Sequence, residues 1–343
     1  MDSNINEEII SGSDTDADTE IYDVDLDSLN TSRSSTIIMN QEEFLPGKWG
    51  PIRLYKEASL DDLSSCTAWC MEIGLMHSSS TCYTHRQPRT LRYRSDRDYL
   101  TWYCGKCDNY RSVAAGSIFE SAKLPLGKVL MLMLSFANNS SYEDAMRSCI
   151  FDSDEDLVAD TTISRWFDIF REAIVSKLNS INGWNFIGGP GIVVQIDEAQ
   201  IGRRKYNRGR IKEDTWVFGM IDANGEVRME ICPRRDAATL TGILQRYVAP
   251  GSIIHSDGWR AYKGLESLGY KHSTVNHKVE FVAGDGTHTQ AIESQWRSLR
   301  RMFSPGGRRH EYIADYLVEF IWRQNIRREN EEPFVELIKL FRV

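Results

Sequence analysis

No apolar run in this sequence approaches the roughly 20 residues that a membrane-crossing helix needs, although hydrophobic residues make up an ordinary 41% of its 343 positions. The N-terminus, MDSNINEEII, has neither the basic start nor the apolar stretch of a secretion signal. The chain is therefore expected neither to span a membrane nor to be exported through a visible leader. Cysteine is scarce and odd in number, seven residues. Without an export signal this argues against a disulfide framework and favours metal ligation or plain burial. The length is ample for two or three domains, each with its own core.

Bases are almost missing from residues 1–45, which carry twelve acids against the single Arg33. The formal net charge of -8 is concentrated there, since the remainder keeps 37 of the 49 acids and 40 of the 41 bases, a net of +3. Apolar residues are also sparse in SGSDTDADTEIYDVDLDSLNTSRSS. Such a segment buries too little surface to offset its ordering entropy, so residues 1–45 are expected to be a disordered acidic tail. A solubilising role is the plain expectation; a partner-binding segment or a mimic of nucleic-acid charge is the alternative.

Residues 46–118 hold two spacings of metal-ligand type. Cys82-x2-His85 and Cys104-x2-Cys107 flank eighteen residues that read as a short hairpin. Zinc takes four N/S ligands in a closed tetrahedron, and two knuckles across a hairpin bring them together. One structural Zn2+ in a zinc ribbon is the expectation, against unliganded buried thiols. Cys66 and Cys70, spaced i, i+4 in LDDLSSCTAWCMEIGLM, read as core cysteines on a helix, with these two or His77 as reserve ligands.

The periodicity turns helical over residues 119–182. LPLGKVLMLMLSFANN is apolar nearly all round, and SYEDAMRSCI and DTTISRWFDIFREAIVSKL are amphipathic. In the last, Asp160 or Thr161 serves as N-cap and Ile163, Phe167, Phe170 and Ile174 share a face. The three segments fit a helix-turn-helix-like module with Thr162, Ser164 and Arg165 outward, as they also fit any three-helix packing unit.

Residues 190–330 alternate strands and helices. After the break Gly188-Gly189-Pro190-Gly191, IVVQID, TWVFGMID and VRMEICP read as three antiparallel strands, the last two joined through Asn224-Gly225. A helix DAATLTGILQRYV, a strand SIIHSD, a short helix GWRAYKGLESL, a strand HSTVNH and a long helix from near His288 follow. This α/β (α+β) order is that of an RNase H-like domain, whose first and fourth strands lie side by side and would bring Asp197 near Asp257. Residues 331–343 form a C-terminal helical extension. Glu198, beside Asp197, belongs to the opposite side of its strand and reads as structural.

Phosphoryl transfer to nucleic acid asks for converging carboxylates that hold hard cations such as Mg2+. A third acid has three candidates, Glu280, Asp285 and Glu293. Glu293 stands out in HTQAIESQWRSLRRMF, where Ile292, Trp296, Leu299 and Phe303 make a buried stripe and Glu293, Arg297 and Arg300 share the adjacent face. Six cations within ten residues, Arg203, Arg204, Lys205, Arg208, Arg210 and Lys212, follow Asp197 almost directly. They read as a phosphate cradle, or else as a solvated charged hairpin or nuclear-import signal.

QIDEAQIGRRKYNRGR, IIHSDGWRAYKGL, VNHKVEFVAGDGTHTQAIESQWRSLRR and YLVEFIWRQN, with WYCGKCDNYRSVAAGSIFESAKLPL before them, resemble the Merlin-superfamily DDE transposases and their insertion-sequence relatives with an ISXO2-like transposase domain. The resemblance spans about residues 70–343. It implies a DNA transposase in which Asp197, Asp257 and Glu293 are the catalytic triad holding two Mg2+ (or Mn2+) ions, thirty-five residues separating the last two. It further implies double-stranded DNA partners (terminal inverted repeats and target), a homo-oligomer, no membrane partner and, in a eukaryotic host, residence in the nucleus. His85 departs from the second knuckle cysteine usual in these relatives. A domesticated DNA-binding regulator without transposition activity, or a scaffold acting through the acidic tail, is the alternative function.

Overall fold

The computed structural model describes residues 21–24, 47–94, 99–150, 157–180, 186–201, 215–275, 288–302 and 313–343. They divide into two units, one of residues 1–170 with 332–343 and one of residues 171–331.

In the first unit, helix α1 (Pro51–Ala58) opens on a proline, which lacks only an N–H that the first turn leaves unpaired anyway. Helix α2 (Leu63–Glu72) is capped by the Asp62 carboxylate, which accepts from the N–H groups of Ser64 (3.2 Å) and Ser65 (3.1 Å). Cys66 and Cys70 are buried on it, as expected of core cysteines. Helix α3 (Leu126–Ala137) is buried at every position, which is why its sequence is apolar all round. Helix α4 (Tyr142–Ser148) is capped by Ser141, and α5 (Asp160–Ser180) already includes Asp160, so Ala159, whose carbonyl accepts from the N–H groups of Thr162 and Ile163, stands at the cap in place of the expected Asp160 or Thr161. Phe136 packs edge-on against Phe167 and tilted against Phe170, and Phe170 meets Phe341 beyond helix α9 (Pro333–Lys339).

The same unit holds a four-stranded antiparallel sheet in the order β1 (Ile21–Asp23), β2 (Thr90–Arg94), β3 (Tyr99–Cys104), β4 (Asn109–Ser112). The hairpin expected between the two knuckles is β2–β3. Strand β1 departs from the expectation of a disordered tail over residues 1–45. Residues 21–24 lie along β2, with Ile21, Tyr22 and Asp23 opposite Arg94, Tyr93 and Arg92. The reason is local: Ile-Tyr-Asp-Val is an alternating β-prone tetrapeptide inside an acidic stretch, and β2 offers an unpaired edge.

The second unit is built on a five-stranded sheet in the order β7 (Val227–Cys232), β6 (Thr215–Asp222), β5 (Val193–Ile201), β8 (Ile253–Asp257), β9 (Lys271–Val275). The first three strands are antiparallel, and β8 and β9 run parallel to β5. The first and fourth strands in sequence are therefore neighbours, as the RNase H-like order requires. Asp222 fixes the β6–β7 turn by accepting from the N–H groups of Asn224 and Glu226, both at 2.9 Å.

Side chains of β5 alternate between two cores. Val194 and Ile196 join Phe218, Met220 and helix α6 (Ala237–Tyr247) on one face. Ala199 and Ile201 join Val217, Ile221 and two helices, α7 (Gln290–Met302) and α8 (Ile313–Glu329), on the other. Within α8, the buried Glu319 accepts from Arg171 at 2.8 Å and Arg323 at 2.9 Å. The short helix expected over residues 258–268 is two 3-10 turns instead, Arg260–Tyr262 and Leu265–Leu268. Gly264, at φ +101°, takes the left-handed conformation between them and interrupts the α-helical ladder. No described helix is long and apolar enough to cross a membrane.

Candidate active site and metal centre

Strand β5 aligns with β8 at Val193–Ile253, Val194–Ile254 and Gln195–His255. The same sixty-residue offset carries Asp197 to the level of Asp257, the last residue of β8. Gln195 and Asp197 are two residues apart on β5 and so share the face that helix α7 covers, as His255 and Asp257 do on β8.

Asp197 stands opposite Gly219 of β6, and the absence of a side chain there admits the Trp296 indole. A Cβ on Gly219 would lie 2.4 Å from Trp296 Cη2. The indole Nε1–H, so admitted, donates to Asp197 Oδ2 at 2.8 Å. Burial pushes the Asp197 carboxyl up to about 6. The charges of Glu198 and Asp257 push the same way, while the Trp296 hydrogen bond and the Glu198 N–H oppose it. Asp257 has its own local restraint, since its Oδ1 accepts from the Trp259 N–H at 3.0 Å.

Helix α7 is seated on β5 by one side chain. Gln195 Oε1 accepts from the N–H groups of Ala291 (2.9 Å) and Ile292 (3.3 Å), two donors of the helix's first turn. Its Nε2 lies 3.2 Å from His288 Nδ1, and the His288 ring meets His255 edge-on. Glu293 sits in that first turn with Oε1 accepting from the Thr289 hydroxyl at 2.7 Å. Ile292, Trp296 and Leu299 form the expected buried stripe, whereas Arg297 and Arg300 are exposed. The stripe closes on the buried Met302, and Phe303 lies outside the described residues.

Glu198 points to the other face, as expected of a structural neighbour. There it accepts from the Tyr262 hydroxyl and, at 3.0 Å, from Arg235. The Arg235 guanidinium lies 4.0 Å from the Trp216 ring centre and 4.4 Å from that of Trp259. This network behind Asp197 was not read from the sequence, and neither were the roles of Gln195, Gly219 and Thr289. The signal for Gln195 is its place two residues before Asp197 in an apolar run, where a polar side chain needs a buried partner.

The six cations Arg203, Arg204, Lys205, Arg208, Arg210 and Lys212, in the chain joining β5 to β6, lie outside the described residues, and so do the alternative acids Glu280 and Asp285, between β9 and α7. Among the described residues, one group of three or more potential ligands is drawn together closely enough to share an ion. Its donor atoms, from Cys82, His85, Cys104 and Cys107, all lie within 4.8 Å of one another. Asp197, Asp257 and Glu293 do not close into such a group; like-charged carboxylates repel, and Glu293 is tied to Thr289.

The Cys/His group is formed by two turns of matching build. Each second ligand is followed by a residue in the left-handed conformation, Arg86 (φ 48°) after His85 and Asp108 (φ 52°) after Cys107. Backbone N–H groups then aim at sulfur. Those of Cys107 and Lys106 draw the Cys104 thiol down to about 6, and that of His85 lowers Cys82. His85 Nδ1 lies 3.6 Å from both Cys82 Sγ and Cys104 Sγ, and Cys82 Sγ lies 3.7 Å from Cys107 Sγ. The reserve ligands Cys66, Cys70 and His77 are not part of the group.

Strand order, an acid in the middle of β5 level with the acid that ends the neighbouring parallel β8, and a carboxylate-bearing helix on the same face define a mixed α/β domain of RNase H-like topology. Residues 187–325 match the model of the ISXO2-like transposase domain. An uncharacterized transposase-like protein of Haemophilus influenzae is 30% identical over 96 residues, covering 28% of this chain and 77% of that protein. The chain belongs to the ISXO2-like transposase family. Among solved structures, the HTLV-2 integrase catalytic core domain in complex with magnesium is similar at 14% identity, covering 39% of this chain and 84% of that one, with a TM-score of 0.26. A pre-cleavage Mos1 transpososome is similar at 13% identity, covering 62% and 96%, with a TM-score of 0.24.

Proposed function

We propose that this protein is an active DNA transposase of the DDE type, with Asp197, Asp257 and Glu293 as its catalytic carboxylates. The observation that carries this reading is Asp197 level with Asp257 on adjacent parallel strands, its carboxyl pushed up to about 6 by burial and by neighbouring acids. A buried carboxylate beside others of like charge is a site that a divalent cation relieves. The donor set is all oxygen, which suits Mg2+ or Mn2+. Two such ions, when bound, stabilise the attacking and leaving oxygens of phosphoryl transfer.

The chain's own residues do the rest. The Trp296 indole holds Asp197 and the Trp259 N–H holds Asp257. Gln195 sets the start of helix α7, and with it the place of Glu293. Arg297 and Arg300, exposed on the same helix, and the cations between Arg203 and Lys212 contact the phosphates of double-stranded DNA, both element ends and target. Helices α3 to α5 supply a helix-turn-helix-like reading module.

Cys82, His85, Cys104 and Cys107 fit one structural Zn2+: four soft or borderline donors converge, and backbone amides already favour the thiolate at Cys104 and Cys82. The ion would hold the ribbon together and take no part in the chemistry. The working enzyme is a homo-oligomer of the Merlin type, resident in the nucleus of a eukaryotic host.

Purified protein incubated with Mg2+ and labelled duplexes bearing the element ends tests the reading. Metal-dependent nicked and joined products are expected. Tight, salt-sensitive binding to those ends without any product would contradict it.

A further inference from the structure

Strand β1 extends the ribbon sheet with residues that carry the opposite charge to the surface they cover. Its backbone pairs with β2, and the Val24 N–H donates to Leu91 O at 2.8 Å. Asp23 stands opposite Arg92 and accepts from its Nε at 2.6 Å. Pairing across the sheet puts Thr90, Arg92, Thr101 and Tyr103 on one face, with Leu91 and Trp102 buried on the other. On the outer face the Arg92 guanidinium lies 3.5 Å from the Tyr103 ring centre and that of Arg94 lies 4.9 Å from the Tyr110 ring centre. The two tyrosine rings are 4.9 Å apart. Guanidinium groups held flat against adjoining aromatic rings are positioned as phosphate contacts, the kind that holds a duplex backbone.

The occupant is built to be weak. Three residues are short for a strand, and the Arg92–Asp23 pair is solvent-exposed, with the Asp23 side chain 64% accessible; such pairs contribute about 0–1 kcal/mol. The segment is at the same time strongly polyanionic, with seven acids and no base from Asp14 to Asp27. Covalent attachment keeps it at high effective concentration, so a weak contact still competes.

We propose that the outer face of the ribbon, centred on Arg92, Arg94, Tyr103 and Tyr110, binds DNA, and that the acidic strand Ile21–Asp23 is its intramolecular competitor. DNA displaces the strand. The N-terminal segment thus sets a threshold below which weak, non-specific DNA does not engage the ribbon. This inference rests on the DNA-binding reading above.

The test uses the full-length, zinc-loaded chain and fluorescence anisotropy with a labelled 20-base-pair duplex of arbitrary sequence across a salt series. Asp23→Asn/Val24→Pro removes the ion pair and the backbone donor of the strand. Affinity is expected to rise roughly 3- to 10-fold, with a salt slope steeper by about one phosphate contact. Adding Arg92→Ala to that variant is expected to cancel the gain. Hydrogen exchange at Leu91 to Arg94 reports release of the strand, and at Trp102 the integrity of the sheet. Faster exchange at β2 with unchanged DNA affinity would overturn the competition. Absence of duplex binding by every variant would instead sink the DNA reading, and this inference with it.

Discussion

The Trp296 indole donates to Asp197 across 99 residues of chain, at 2.8 Å, from a position that only Gly219 leaves open. Three residues on three elements are thereby coupled: shape on β6, a donor on α7 and a carboxylate on β5. The acid is held where Asp257 approaches it, and the holding group lends no charge that would compete with a cation.

Gly219→Ala tests the shape. Its methyl would press into the indole, so the variant should lose about 1–3 kcal/mol of stability. Trp296→Phe fills much the same space without the donor and leaves Asp197 buried with less support. Its acidic pH–rate limb should move to higher pH, because the lost hydrogen bond lowered the Asp197 pKa. Denaturant melts and a pH–rate profile check the pair.

Asp197 also makes stability depend on pH. Its carboxyl is raised to about 6 from an ordinary 3.8, so between those values the folded state holds a proton that the unfolded chain has released. Stability from this group is present below about pH 4 and is lost as pH rises through about 6. Asp197→Asn should therefore raise the metal-free stability at pH 7.5 by on the order of 1–3 kcal/mol, read as a higher melting temperature. Mg2+ should stabilise wild type at pH 7.5 and far less at pH 5, where the acid is protonated. Thermal melts of both proteins at the two pH values, with and without Mg2+, decide this.

Gln195→Ala should free two N–H donors at the start of α7 and cost roughly 0.5–2 kcal/mol. The loss should be local, with faster hydrogen exchange at Ala291 and Ile292 and a fall in cleavage through Glu293, while α6 on the opposite face stays protected.

The ribbon should carry one zinc ion per chain by elemental analysis. His85→Cys should retain it, since sulfur is an equivalent donor at that position. His85→Ala and chelation should each release it, lowering the melting temperature and unprotecting β2 to β4.

Much of this frame was legible because periodicity and chemistry coincide. VVQID marks a strand, the strand order sets β5 beside β8, and alternation places Glu198 away from Asp197, where Arg235 and Tyr262 receive it. Knuckle spacing picked out the four Cys/His residues that the structure draws together for the same reason: their turns are local. Long-range partners left no local trace. Trp296 reads as one more member of a buried stripe, and nothing near Gly219 says that an indole from α7 will fill its place. Strand β1 was missed because average composition hid a four-residue β-prone island among acids. Gly264 broke a helix that amphipathic spacing alone would have continued.

Metal-dependent DNA strand transfer is the proposed work of Asp197, Asp257 and Glu293. The most direct measurement is the rate of cleavage and joining on duplexes with authentic element ends, in Mg2+, for Asp197→Asn, Asp257→Asn, Glu293→Gln and, as a control, Glu198→Gln. Each of the first three should lose activity by about 10^3-fold or more while still binding DNA, equivalent to some 4 kcal/mol of transition-state stabilisation, and the control should stay within about tenfold of wild type. Wild-type rates in Asp197→Asn or Asp257→Asn would contradict that role.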